Sequence, residues 1–309
     1  MPIDPQAQIV MDQGAALGLP LVHTISPALA RVFARARLRP PGPAVARVED
    51  YLVPGHAGDL TARIYTPEGT GPFPLLVWFH GGGWVFGDLD SADSTARNLA
   101  AGAGCVVASV DYRLAPDTKF PGPAEDCYAA TQWLAQNAGD VNADPSKVAV
   151  GGDSAGGNLA AAVCLMARDR GEPSIVFQLL VYPVIDFDFT TRSYQENGDG
   201  YLLTKESMVW FWNHYLADPI DATNPYAAPL KANDLSGLPE ALVITAEFDP
   251  LRDEGESYAQ RLQASHVPTQ YQCYDGMIHG FFAMSAMIGR AKDAVADASS
   301  ALKRSFGSS

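Results

Sequence analysis

Apolar positions along the chain keep two rhythms. Leu75–Phe79 and Val106–Val110 are short continuous apolar runs, the pattern of strands buried on both faces. Val148–Gly152, Val176–Val181, Ala241–Thr245 and Thr269–Tyr274 read as further strands. Helical spacing appears between them. Over Gly122–Asn137 it puts Ala124, Cys127, Tyr128, Thr131 and Leu134 on one side. Ala155–Arg168, Arg252–Ala264 and about Ala291–Phe306 read as helices as well. Val48–Val53 and Leu60–Tyr65 flank the turn Pro54-Gly55-His56-Ala57-Gly58 and resemble a hairpin. Strands alternating with helices predict an α/β fold with a mostly parallel sheet.

Two regions break the alternation. Residues 1–47 hold two short predicted helices within Met11–Leu38, around Pro20 to Pro27, with Leu29, Val32 and Phe33 at helical spacing. The RPPGP turn at 39–43 closes this region. Residues 190–235, with WFWNHYL and several Pro and Asn turns, read as a helical excursion. Together the two could form a cap on a core made of residues 48–189 and 236–309.

Composition narrows the function. The chain of 309 residues is 47% apolar and 18% charged, enough for a sizeable core. Its net charge of −14 argues against nucleic acid or an anionic membrane as partner. Cys105, Cys127, Cys164 and Cys273 lack CxxC or zinc-ligand spacing, and three lie in apolar runs, as buried thiols in a reducing compartment would. MPIDPQAQ has no basic stretch followed by an apolar run, and no segment is long enough to span a bilayer; the cytoplasm is the expected location.

The stretch VAVGGDSAGGNLA, Val148 to Ala160, carries the most chemistry. A phosphate cradle GxxxxGK[ST] fits Gly151 and Gly156, but Gly157 and Asn158 stand where Lys and the hydroxyl belong. A dinucleotide fingerprint fails because Asp153 occupies the second glycine position. Gly152-Asp153-Ser154-Ala155-Gly156 does fit GxSxG, the nucleophile elbow that projects a serine from a strand-to-helix turn.

A serine nucleophile needs a base and an acid, and in folds with this elbow they follow it as acid, then histidine. His266 and His279 lie late enough; His266 sits near a helix end, whereas His279 in DGMIHGFF lies just past the last strand and is the expected base. Asp249, directly after EALVITAEF, is the expected acid, with Asp186 after strand 176–181 as the alternative. Asp253 and Glu254 fall in a first helical turn, where acids complement the helix dipole. HGGGWVFGD, His80 to Asp88, matches an oxyanion loop, so the N–H groups of Gly82, Gly83 and Ala155 are the expected donors. His80 is expected to hold that loop rather than to react. Trp84, Phe86, Trp210, Phe211, Phe281 and Phe282 are candidates for an apolar substrate pocket.

HGGGWVFGD, DYRLAP (Asp111–Pro116), GDSAGGNLA, DPLRDEG and HGF occur in one order between residues 80 and 281. In this the chain resembles the hormone-sensitive-lipase-like esterases of the α/β-hydrolase superfamily. The resemblance implies an eight-stranded sheet, a cap over the site, and cofactor-free hydrolysis of short- to medium-chain carboxylic esters, the small-molecule partners. It carries over Ser154, Asp249 and His279 as triad and Gly82, Gly83 and Ala155 as oxyanion hole, and it allows a homodimer. A binding-only receptor on this fold, as plant gibberellin receptors are, would lack the histidine that stands here at 279. Amide hydrolysis or acyl transfer with the same triad stays open.

Overall fold

Eight strands form one sheet: β1 (Arg47–Gly55), β2 (Gly58–Thr66), β3 (Phe73–Phe79), β4 (Val106–Val110), β5 (Ala143–Asp153), β6 (Phe177–Val181), β7 (Glu240–Phe248) and β8 (Thr269–Ile278), in the order β1-β2-β4-β3-β5-β6-β7-β8. The computed structural model describes residues 2–37 and 40–307. Leu38 and Arg39, expected at the end of a helix and the start of a turn, lie outside the described residues. β2 runs antiparallel to β1 and β4, and every other pairing is parallel. The expected α/β class and the eight-stranded, mostly parallel sheet are what the chain forms.

β3, β4 and β6 are buried at every position, as strands covered on both faces must be. One face packs against α4 (Gly122–Gln136), α5 (Ala155–Arg170) and α8 (Arg252–Ala264). The other packs against α3 (Leu89–Ala103) and α9 (Gly289–Ser305). Each fully buried large apolar side chain in these layers contributes about 1.5–3 kcal/mol relative to exposure.

The strand registers decide where the chemistry can gather. Phe79 pairs with Gly152, Asp153 with Val181, Val181 with Ile244, and Phe248 with Ile278. β3, β5, β7 and β8 therefore release His80, Ser154, Asp249 and His279 at one carboxyl edge of the sheet, the usual ligand side of an open α/β sheet.

The structure corrects three expectations. Helix α3 was absent from the predicted elements; its signals are the Asp88–Ser91 capping box, the spacing of Leu89, Ala92, Ala96 and Leu99, and Gly104 in the left-handed conformation at its end. The first N-terminal helix, α1 (Pro5–Ala16), starts well before Met11, because Asp4 caps it and Pro5 suits the first helical position. In α2 (Pro27–Ala36), Ala30 and Ala34 face inward while Leu29 and Val32 are exposed. Arg31 fixes that orientation by donating from Nε to Val85 O (2.9 Å) and from Nη2 to Ala115 O (2.8 Å).

Between β6 and β7 lie α6 (Arg192–Asn197), α7 (Lys205–Tyr215) and two 3-10 turns. Among the described residues no helix is long and apolar enough to cross a membrane. All four cysteines are free; Cys105, Cys127 and Cys164 are buried, and burial pushes the Cys105 thiol up to about 12.

Candidate active site

Ser154 caps α5 with φ 57° and ψ −119°, a conformation L-residues rarely adopt. The glycines around it answer to close backbone packing. A Cβ on Gly156 would lie 1.9 Å from Phe79 O, and one on Gly152 would lie 2.3 Å from Gly156 O. Strand β3, strand β5 and helix α5 thus meet without side chains between them, and the serine is forced outward. The first N–H groups of α5 have no partner within the helix and converge at the same point.

The residues expected to join the serine do so. Ser154 Oγ donates to His279 Nε2 over 3.0 Å, and His279 Nδ1 donates to Asp249 Oδ2 over 2.7 Å. Asp249 is wholly buried, and its other oxygen accepts the N–H of Leu251 at 2.9 Å. The Tyr182 ring lies against the imidazole, centroids 4.7 Å apart. Asp186 is elsewhere, in an ion pair with Lys231 at 2.7 Å. His266 is exposed at the end of α8. Glu254 is buried and accepts the N–H of Ile185 at 2.7 Å. Asp253 accepts the N–H of Ser193 at 2.7 Å.

The glycine loop after β3 runs beside the elbow. Gly82 has φ 115°, and a Cβ there would meet Phe86 O at 2.0 Å. A Cβ on Gly83 would meet Phe211 of α7 at 2.1 Å, so the loop is bare backbone clasped between α7 and the serine turn. The His80 ring stacks on Tyr112, and its Nδ1 donates to Gly81 O over 2.8 Å. Asp153, the variable position of GxSxG, accepts the N–H of Gly81 at 3.1 Å and so couples this loop to the elbow. Sequence reasoning assigned no role to Asp153; its place one residue before the nucleophile was the available signal.

Desolvation pushes the Asp153 carboxyl up to about 6, with nearby His279 acting in the opposite direction. A carboxyl raised on folding costs stability above its folded pKa, and the cost vanishes below its unfolded value. Asp153→Asn keeps an acceptor for Gly81. It is expected to be more stable to unfolding at pH 7 by about 3 kcal/mol, with the gain shrinking between about pH 6 and pH 4 and absent below. Urea melts across that range check this.

The six pocket candidates separate. Phe86 and Phe211 pack at a tilt of 60° beside Gly83, centroids 5.6 Å apart, and half-buried Trp210 adjoins Phe211. Trp84 is fully buried, stacked on Tyr215 at 4.1 Å. Phe281 and Phe282 are fully buried too, Phe282 against Trp78 and Phe281 against Tyr182. These three are core side chains, because packing under the sheet edge buries them completely.

The sequence profile of a family described as alpha/beta hydrolase fold matches residues 76–283. The carboxylic ester hydrolase LipN of Mycobacterium tuberculosis is 44% identical over 291 residues, covering 90% of this chain and 77% of that protein. The carboxylesterase NlhH of the same species is 39% identical over 316 residues, covering 98% and 96%. The solved hyperthermophilic esterase from Pyrobaculum calidifontis superposes with a TM-score of 0.91 at 40% identity, covering 98% of this chain and 99% of that one. The chain belongs to the hormone-sensitive-lipase-like carboxylesterases of the α/β-hydrolase fold.

Proposed function

We propose that this carboxylesterase hydrolyses small, short- to medium-chain carboxylic esters through an acyl-enzyme on Ser154. The supporting observation is the continuous chain Ser154 Oγ, His279 and Asp249, with bonds of 3.0 and 2.7 Å, at the carboxyl edge of the sheet. His279 Nε2 takes the serine proton as Oγ attacks the ester carbonyl. Asp249 keeps the other imidazole proton on Nδ1 and stabilises the imidazolium. The N–H groups of Gly82, Gly83 and Ala155 bind the oxyanion. The alcohol departs with the proton from His279, and water then attacks the acyl-serine with the same base, releasing the acid. Phe86 and Phe211 form an apolar wall for the acyl or alcohol group.

The acidic surface suits a neutral ester better than an anionic one. Buried free thiols support a reducing compartment such as the cytoplasm. A phosphonate ester that mimics the tetrahedral intermediate is the direct test. After digestion, mass spectrometry is expected to find one adduct, on the peptide containing Ser154, with loss of activity in step with labelling. An adduct on another serine would overturn the assignment. Matched p-nitrophenyl ester and anilide substrates compare ester with amide hydrolysis, and faster turnover of the ester is expected.

A further inference from the structure

The loop carrying Asp249 is held from outside the core. β7 ends at Phe248, and α8 begins at Arg252 without a side-chain cap. Within this loop Asp249 O accepts the N–H of Arg252 at 3.2 Å, and a carbonyl oxygen has room for a second donor. Helix α6, in the 190–235 excursion, supplies it. Asn197 Nδ2 donates to Glu247 O at 3.1 Å and to Asp249 O at 3.5 Å. Ser193 Oγ donates to Pro250 O at 2.6 Å, and Ser193 N donates to Asp253 Oδ2 at 2.7 Å. Asp253 N closes the loop on Ser193 Oγ at 3.3 Å. Ser193 is wholly buried and Asn197 nearly so. At the rim, Arg252 bonds Glu196 at 3.2 Å and Glu247 O at 3.2 Å. The exposed ion pairs there contribute little, whereas losing a buried donor strands its acceptor.

We infer that Ser193 and Asn197 are positioning residues, which hold the Asp249 backbone where its carboxylate meets His279. This rests on Asp249 being the acid of the proposed triad. Asp249 Oδ1 is already spent on the Leu251 N–H, so the carboxylate reaches His279 only if the loop backbone stays fixed. Two side chains of one short helix hold that backbone on both sides of Asp249.

Asn197→Asp keeps the size but turns a donor into an acceptor facing carbonyls. Ser193→Ala removes the donor to Pro250. Each is made in the full chain, its active sites are counted by phosphonate titration, and p-nitrophenyl acetate is the substrate. Per active site, kcat is expected to fall about 10–100-fold, as a displacement of order 1 Å at a catalytic group does, with KM changed less than about twofold. Ser154, Tyr182, Asp153 and Asp249 face His279, and only Asp249 lies on the loop α6 holds. A retreating carboxylate stabilises the imidazolium less, so the acid limb of kcat/KM is expected to move to lower pH by about half a unit or more.

Wild-type kcat and an unmoved acid limb in both variants would overturn the inference, even if both were less stable to heat. Asp249→Asn separates the two readings. If it is crippled while the α6 variants behave as wild type, the inference alone falls; if it keeps wild-type turnover, the triad reading falls first.

Discussion

Ser154→Ala is expected to lower kcat for a short-chain p-nitrophenyl ester by on the order of 10⁶, and to abolish the initial burst of p-nitrophenol. The loss is this large because Oγ alone forms the bond to the acyl carbon, and His279 Nε2, 3.0 Å away, then has no proton to take. What remains comes from the oxyanion donors acting on direct attack by water. The fold should survive, because the backbone of Ser154 still joins its neighbours, with N donating to Val181 O at 2.9 Å and O accepting from Val184 N at 3.2 Å. Alanine keeps the strain of φ 57°, so the thermal midpoint should stay near wild type. A variant with wild-type kcat would refute the elbow assignment.

Asp249→Asn is expected to cost about 10⁴ in kcat with the geometry almost unchanged. The reason lies in which end of the amide faces His279. Leu251 N–H holds the Oδ1 side at 2.9 Å, so the asparagine oxygen stays there and the NH₂ takes the place of Oδ2. That NH₂ donates to Nδ1, which lies 2.7 Å away in the wild type, and pushes the imidazole proton onto Nε2. A protonated Nε2 cannot accept from Ser154. Steady-state kinetics with phosphonate-counted sites measure the loss; less than a tenfold drop would show that the tautomer is not set by residue 249.

The motifs proposed to touch reacting atoms were legible because such chemistry needs consecutive residues. GxSxG encodes the approach of Gly152 and Gly156 to neighbouring backbone, and HGGG encodes bare N–H groups. Asp249 could be preferred to Asp186 because it follows its strand directly, but the ion pair of Asp186 with Lys231 was invisible in sequence. Aromatic residues were the least legible. Trp84, Phe281 and Phe282 sit next to the motifs along the chain yet point into the core, and only the packing of neighbouring layers tells a pocket wall from a core side chain. Helix α3 escaped because its buried stripe is mostly alanine, too weakly apolar to stand out in the pattern although it packs closely against α9. The bonds from α6 to the acid loop join residues 50 to 60 apart in sequence, a separation no local pattern records.

Those bonds bear on attempts to retarget the enzyme by exchanging residues 190–235. A graft that replaced the whole of 190–235 would remove Ser193 and Asn197 along with Trp210 and Phe211. A chimera cut after residue 197 would leave Trp210 and Phe211 free to change while the hinge of the acid loop kept its native fastening.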